Sequence, residues 1–356
     1  MPPRFQKLTI AAIARETADS VSLTFDARPS FRPGQYVTLR AEIDGVDVRR
    51  SYSICAGLDD PALRVGIKHL PGGLFSTWAN TVLKPGDTVL AMPPDGRFGA
   101  SVDPQAAHVY AAFAAGSGIT PILSIVKTVL ARGSASRFFL FLGNRRTADI
   151  MFRTEIEDLK DRYLSRLSVF HVLSRERQEL DILNGHLDAG KIPALMRLMP
   201  ALDQVFVCGP QTMIEGLELA LIETGLPRAR IHVERFTPAS DSVSRPAAVI
   251  LGAALAAATQ GAALTARASL ILDGARQDVP MAAGESIVDA AIRAGLDPPF
   301  SCKAGMCCTC RARLLDGRVE MAANYSLEPW ETAAGYVLTC QARPLTPHVV
   351  VDYDQV

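Results

Sequence analysis

Short runs of β-branched and aromatic residues alternate with turn signals over the first hundred positions, a rhythm that predicts an antiparallel barrel. The candidate strands are Val21–Phe25, Tyr36–Arg40, Ser51–Ile54, Leu63–Lys68 and Thr88–Met92. Pro33-Gly34, Asp44-Gly45, Pro71-Gly72-Gly73 and Pro85-Gly86 punctuate them. From His108 the period changes. Apolar runs at Val109–Phe113, Phe138–Leu142, Leu167–Leu173, Val205–Val207 and Ile231–Val233 alternate with helical patterns at Pro121–Ala131, Phe152–Tyr163 and Thr212–Thr224. Such alternation predicts βαβ units around a buried parallel sheet. A third rhythm opens with Ala268–Leu272 and Ala275–Val279, a hairpin across Asp273-Gly274. A helix over Ser286–Ala294 follows, then a cysteine-rich loop and short strands.

Length and composition narrow the class. A chain of 356 residues has room for two or three domains, each with its own core. Lys+Arg and Asp+Glu balance at 37 each, which argues against a nucleic-acid footprint. From Ala266 onward there are 8 Lys+Arg against 11 Asp+Glu, so a mildly acidic last domain follows a mildly basic body. The start shows neither a secretory nor a transit pattern. Pro246–Ala266 is uncharged and long enough to span a bilayer, but its Ala, Gly, Thr and Gln content transfers poorly into lipid. It is read as an Ala-rich interdomain linker, and the expectation is a cytoplasmic protein without a membrane anchor.

The cysteines change the picture most. Cys302, Cys307 and Cys310 stand as C-x4-C-x2-C, with Cys340 well downstream. This is the plant-type ligand spacing of a [2Fe–2S] cluster. A zinc site would favour paired C-x2-C knuckles, of which only one exists here, and seven cysteines without a secretory segment argue against disulfides. Cys308 lies out of register between ligands and reads as a packed small side chain.

Two constellations in the barrel carry phosphate-type chemistry, and the parallel sheet adds nucleotide-type features. Arg50 and Tyr52 share a face of one barrel strand. The guanidinium fork suits a pyrophosphate, the ring can lie on an isoalloxazine, and Ser53 can reach its N5/O4 edge. Gly73 and Ser76 lie where a glycine turn enters a helix, another phosphate-type feature. Gly116-Ser-Gly118-Ile-Thr120-Pro121 follows a buried strand and opens a helix, which alone supports only some nucleotide. Cys208 ends a parallel strand, where ligands of such sheets bind. It reads equally as a small buried hydrophobe. Ser174 and Arg175 follow the strand Leu167–Leu173 and would suit an adenosine 2′-phosphate, with Arg145 in support. Charge complementarity therefore favours NADPH, with NADH the alternative.

Arg32-Pro-Gly-Gln-Tyr36, Arg50-Ser-Tyr-Ser53, Gly116–Pro121, Cys208-Gly-Pro210, Glu234-Arg-Phe236 and the cysteine loop together resemble the ferredoxin–NADP reductase superfamily. The likeness is to its oxygenase-reductase branch with a C-terminal plant-type ferredoxin domain, and it covers essentially the whole chain. It implies an antiparallel β-barrel FAD domain at 1–103, an α/β NAD(P)H domain with a parallel sheet at 104–238, the Ala-rich linker at 239–266, and a β-grasp-like ferredoxin domain at 267–356. It also implies electron flow from NAD(P)H through FAD and the cluster to a multisubunit di-iron oxygenase. Reductases of other aromatic or steroid oxygenases, and a stand-alone diaphorase, are the alternatives. By the same resemblance Arg50 would hold the FAD pyrophosphate, Tyr52 stack on the flavin, Ser53 touch N5, and Gly73 and Ser76 complete the phosphate grip. Gly116, Gly118 and Thr120 would line the nicotinamide nucleotide, with Cys208 beside its C4, and Glu234 and Phe236 near the flavin's other face. Ser53, Thr120, Cys208 and Glu234 form the expected catalytic set.

Overall fold

A computed structural model describes residues 5–236 and 266–355. All of the expected linker except Ala266 lies outside the described residues. Two compact units emerge, Pro3–Thr237 and Pro238–Val356 with the first two residues.

The first unit begins with a six-stranded antiparallel sheet of β1 (Gln6–Thr17), β2 (Ser20–Phe25), β3 (Tyr36–Ile43), β4 (Val46–Ser53), β5 (Arg64–Lys68) and β6 (Thr88–Ala91). Their order is β4-β3-β6-β1-β2-β5, and an Ile54–Val65 bridge joins the outer strands into a barrel. Alternate residues fill the interior, among them Val21, Leu23, Phe25, Val37, Leu39, Val65 and Ile67. Helix α1 (Leu74–Thr81) adds Phe75 and Ala79 to this core. Strand β1 is not among the expected elements. Its register breaks between Ile10 and Ala12 and again between Arg15 and Thr17, and most of its side chains are exposed. The period-2 signal is therefore erased.

The barrel passes into a five-stranded parallel sheet, β7 (Val109–Ala115), β8 (Arg137–Asn144), β9 (Leu167–Leu173), β10 (Gln204–Gly209) and β11 (Ile231–Arg235). Helices α2 (Ile119–Arg132) and α3 (Arg153–Arg162) cover one face; α4 (Ile192–Met196) and α5 (Gln211–Glu223) cover the other. Along β7 the even residues Tyr110, Ala112 and Ala114 face the first pair, while Ala111 and Phe113 face the second. Phe113, Phe141 and Phe170 stack at 4.9 and 4.8 Å between ring centres. The order β11-β10-β7-β8-β9 reverses direction between β7 and β10. Ligands of such sheets bind at the carboxyl ends of the strands beside that reversal.

The second unit is a mixed sheet of β12 (Ala266–Leu272), β13 (Ala275–Met281), β14 (Arg311–Asp316), β16 (Tyr336–Leu338) and β18 (His348–Asp352), ordered β13-β12-β18-β14-β16. A two-stranded ribbon, β15 (Val319–Met321) with β17 (Ala342–Pro344), stands beside it. Helix α6 (Ile287–Arg293) packs Ile287, Ala290 and Ala291 on the sheet, and Ser286 caps it by accepting the Asp289 amide at 3.2 Å. A single turn, α7 (Pro329–Ala333), completes the unit. Among the described residues no helix is long and apolar enough to cross a membrane.

Candidate functional site

The strand reversal places the expected nucleotide segments together. The β7 strand ends at Ala115, and Gly116–Gly118 turn as a 3-10 segment directly into α2. Gly116 has φ +55°, and a side chain there would stand in open space before the helix start. Gly118 is fixed by contact instead. A Cβ on it would lie 2.2 Å from the Cys208 carbonyl oxygen, so only glycine lets this turn close on the end of β10. Thr120 is buried, and its hydroxyl donates to the Ser117 carbonyl at 2.9 Å. Its methyl group fills the space beside Gly66 of β5, where a Cβ would come within 2.7 Å. A ligand at this turn would meet backbone amides and glycine, since the threonine hydroxyl is already engaged.

Three side chains from distant segments converge on the barrel side. Cys208 and Glu234 are register partners on β10 and β11. The Ser53 hydroxyl, at the end of β4, donates to the Glu234 carboxylate. Burial pushes Glu234 up to about 8, with the Ser53 bond pulling the other way. Its Oε2 is shielded from solvent and has no hydrogen-bonding partner among the described residues. Cys208 is fully buried; burial first, then the charge of Glu234, drives its thiol well above the ordinary range. An unpartnered oxygen beside a buried thiol and a hydroxyl leaves a polar edge suited to a planar heteroaromatic group. The Glu234–Ser53 bond is not legible in sequence, because 181 positions separate its partners. Phe236 closes the described part of this unit and is 37% exposed.

Arg50 and Tyr52 stand on β4 opposite Leu39 and Val37 of β3. Arg50 is exposed, and one guanidinium nitrogen donates to the Arg49 carbonyl at 2.8 Å. Burial raises the Tyr52 phenol above its usual range, while Arg50 opposes the shift. The Tyr52 ring lies 5.4 Å from Phe75 of α1, tilted by 44°. Gly73 precedes α1, and the Ser76 hydroxyl donates back to its carbonyl at 3.2 Å while accepting the Leu70 amide at 3.1 Å. Ser76 thus locks the loop with its hydroxyl. The first-turn amides of Leu74, Phe75 and Ser76 lack earlier carbonyls within the helix, which leaves backbone donors of the kind an anion needs.

At the far end of the sheet, Ser174 and Arg175 line an open depression of about 440 Å³ with Glu176, Arg177, Asp181 and Asn184. The Ser174 amide donates to Asn144 at 3.0 Å and the Arg175 amide to Arg145 at 2.8 Å, so the loops after β8 and β9 form one rim. Thr147 binds the Glu176 carboxylate through its amide and hydroxyl and holds its pKa below the usual range. That carboxylate is turned toward Thr147 rather than toward the arginines.

In the second unit the four cysteines sort into two contacting pairs, Cys302 with Cys307 and Cys310 with Cys340. The Cys307 thiol and the amides of Ala304 and Met306, at 3.3 and 3.4 Å, pull Cys302 down to about 5. Lys303 and Cys308 have φ of +50° and +55°, and Gly305 has φ +76°. A Cβ on Gly305 would sit 2.9 Å from the Ala323 carbonyl, so the loop is wound tightly. Two thiol pairs joined by a loop whose amides point at sulfur fit a two-iron core, each iron needing two thiolates. Gln341 is not among the residues that sequence points to. Its side-chain amide bridges the Lys303 carbonyl at 2.9 Å and Cys340 Sγ at 3.7 Å, and its place beside a ligand is the signal that could have found it.

Comparison with known proteins matches this division. The family model for an oxidoreductase FAD-binding domain matches residues 12–99, an oxidoreductase NAD-binding domain matches 113–218, and a 2Fe-2S iron-sulfur cluster binding domain matches 270–345. The chain is 42% identical to one of the subunits of 1,2-phenylacetyl-CoA epoxidase from Escherichia coli, over 98% of its own length and 98% of the relative's. It is 33% identical to the ferredoxin reductase component of 3-ketosteroid-9-alpha-monooxygenase from Rhodococcus rhodochrous, covering 97% of this chain and 96% of the relative. The structure of phthalate dioxygenase reductase, 22% identical, superimposes with a TM-score of 0.60 over 98% of both chains and shares the fold. The chain belongs to the ferredoxin–NADP reductase-type oxidoreductases that join FAD- and NAD-binding domains to a C-terminal 2Fe-2S domain, the family to which that phenylacetyl-CoA epoxidase component belongs.

Proposed function

We propose that this oxidoreductase is the cytoplasmic reductase component of a multisubunit di-iron oxygenase, a phenylacetyl-CoA epoxidase, and that it draws on NADPH. The identity of 42% along the full length of the Escherichia coli relative carries the assignment. Segments such as Asn324–Pro329 and Ala334–Ala342 look similar to that subunit. NADPH supplies electrons in pairs, FAD can take up the pair and release them singly, and the cluster accepts one at a time.

The chain's own residues bind and orient. Arg50 offers a planar fork to the FAD pyrophosphate, the first-turn amides of α1 add a helix N-terminus, and Tyr52 offers a ring face. At the crevice, Gly116 and Gly118 admit the nicotinamide nucleotide to the start of α2. Glu234, with a pKa of about 8, keeps its proton at neutral pH within a hydrogen bond of Ser53. A neutral carboxyl beside Cys208 places no full charge against a neighbouring aromatic system. Cys302, Cys307, Cys310 and Cys340 hold the cluster.

Reconstitution tests the partner. NADPH oxidation should couple to product from phenylacetyl-CoA only when the purified oxygenase subunits and this chain are both present. NADPH oxidation at the same rate without the subunits, and no product with them, would make the chain a stand-alone diaphorase. The cofactor preference has its own test. Arg175→Ala is expected to raise the KM for NADPH about tenfold and leave NADH nearly unchanged, the loss of one charge-assisted phosphate contact. An unchanged NADPH/NADH ratio would remove Arg175 from the site.

A further inference from the structure

Helix α2 is fastened to the barrel along one polar stripe. Ser124, Lys127, Thr128 and Arg132 recur at helical spacing and all meet the 55–60 segment that continues β4. The buried Ser124 hydroxyl donates to the Ala56 carbonyl at 2.6 Å, and Thr128 Oγ1 accepts the Leu58 amide at 3.2 Å. Arg132 grips Asp59 with two nitrogens at 2.8 and 3.1 Å. Lys127 sits at the centre. Its Nζ pairs with Asp60 and also with Glu155 of α3 at 2.6 Å, while the second Glu155 oxygen takes Arg64 of β5. Asp60, Lys127, Glu155 and Arg64 thus form an alternating chain of charges, with side chains only 15–26% exposed. Gly57 allows this closeness, because a Cβ there would come within 2.9 Å of Lys127 Cβ.

The chain of charges ends two residues from the crevice. Arg64 and Gly66 lie on one face of β5, and Gly66 is where Thr120, at the start of α2, abuts the barrel. Helix α2 therefore meets β5 directly through Thr120, and by charge only through Glu155 of α3, which takes Lys127 on one oxygen and Arg64 on the other. Without the Lys127 ammonium, Asp60 and Glu155 would oppose each other across the seam, and α2 would lose its central tie.

We propose that Lys127, through Asp60 and Glu155, is a positioning residue that fixes the start of α2 against the barrel and so sets the geometry in which NADPH reduces the flavin. The inference rests on the reading that Gly116–Thr120 receive the nicotinamide nucleotide.

Stopped-flow mixing of the FAD-loaded full chain with NADPH under anaerobic conditions tests it. Bleaching of the wild-type flavin by NADPH checks the underlying reading; its absence would sink that reading before any variant is made. Given bleaching, Lys127→Met should lower the limiting rate about 10- to 100-fold, the usual penalty for a small misplacement. The apparent Kd for NADPH should change by less than about threefold, because uniform binding is not what is lost. The charge-transfer absorbance of the NADPH complex should fall, FAD content should hold, and Lys127→Arg should recover most of the rate. Asp60→Asn, at the outer end of the charge chain, should show the same split more weakly and decides the matter if Lys127→Met fails to fold. A limiting rate within about twofold of wild type in the loaded variants overturns the proposal. So does a Kd that rises in step with the rate loss, or a parallel loss of FAD.

Discussion

Cys302→Ser is expected to cut cytochrome c reduction by at least about 100-fold, beyond the loss from one removed stabilising contact, while ferricyanide reduction stays near the wild-type rate. The separation follows from the two units. Arg50, Tyr52, Ser53 and the crevice at Gly116–Thr120 all belong to Pro3–Thr237, whereas every cluster cysteine belongs to Pro238–Val356. Ferricyanide can draw on the flavin directly, and cytochrome c and the oxygenase draw on the cluster. Cys302 is the most exposed to such a change because its sulfur is the focus of two amide hydrogen bonds and the Cys307 contact. A serine oxygen is a harder, less acidic ligand, and the loop is wound to stabilise a thiolate. Absorbance and electron paramagnetic resonance of the reduced variant report the cluster, and bound FAD reports the first unit. Loss of both activities in an FAD-loaded variant would contradict a linear path from flavin to cluster.

Gly118→Val is expected to leave FAD bound and slow flavin reduction by NADPH about 100-fold. The added Cβ would meet the Cys208 carbonyl at 2.2 Å and its carbon at 2.6 Å. Neither partner yields cheaply. Cys208 is hydrogen-bonded between β7 and β11 in the interior of the sheet, and Gly118 is anchored by Ile119 and Ile122 in the core beneath α2. Overpacking of this kind costs about 1–3 kcal/mol, which a thermal melt would register. The kinetic loss should exceed what that destabilisation explains, because the displaced element is the helix start itself. Flavin reduction at the wild-type rate would mean that the turn can shift without consequence and would remove Gly118 from the crevice.

What the sequence conveyed and what it withheld divide along the range of the interactions. The parallel strands β7–β11 and the hairpin at Asp273-Gly274 are legible because local period and turn chemistry suffice for them. Strand β1 is hidden by its two register breaks, and α4 and α7 are too short, at five residues each, for a helical period to register. The cysteine spacing names its chemistry unaided, since the ligand loop is contiguous. Thr120 and Ser76 stand out in sequence for their hydroxyls, yet both hydroxyls close local backbone carbonyls, a competition that spacing does not reveal. Glu234 acquires its character from burial beside Ser53, and Lys127 from Asp60 and Glu155; these surroundings exist only once the barrel and sheet have met.

The position of β18 has a consequence for how the protein is made. It lies between β12 and β14, in the middle of the sheet that carries the cluster unit, although it follows all four ligands in the chain. Cys302 to Cys340 therefore leave the ribosome before the strand that completes their scaffold. Residues 5–236, by contrast, can finish folding while this unit is still being translated. Iron and sulfide are enclosed by a finished fold only after His348–Asp352 have emerged, so the electron outlet closes later than the unit that precedes it in the chain.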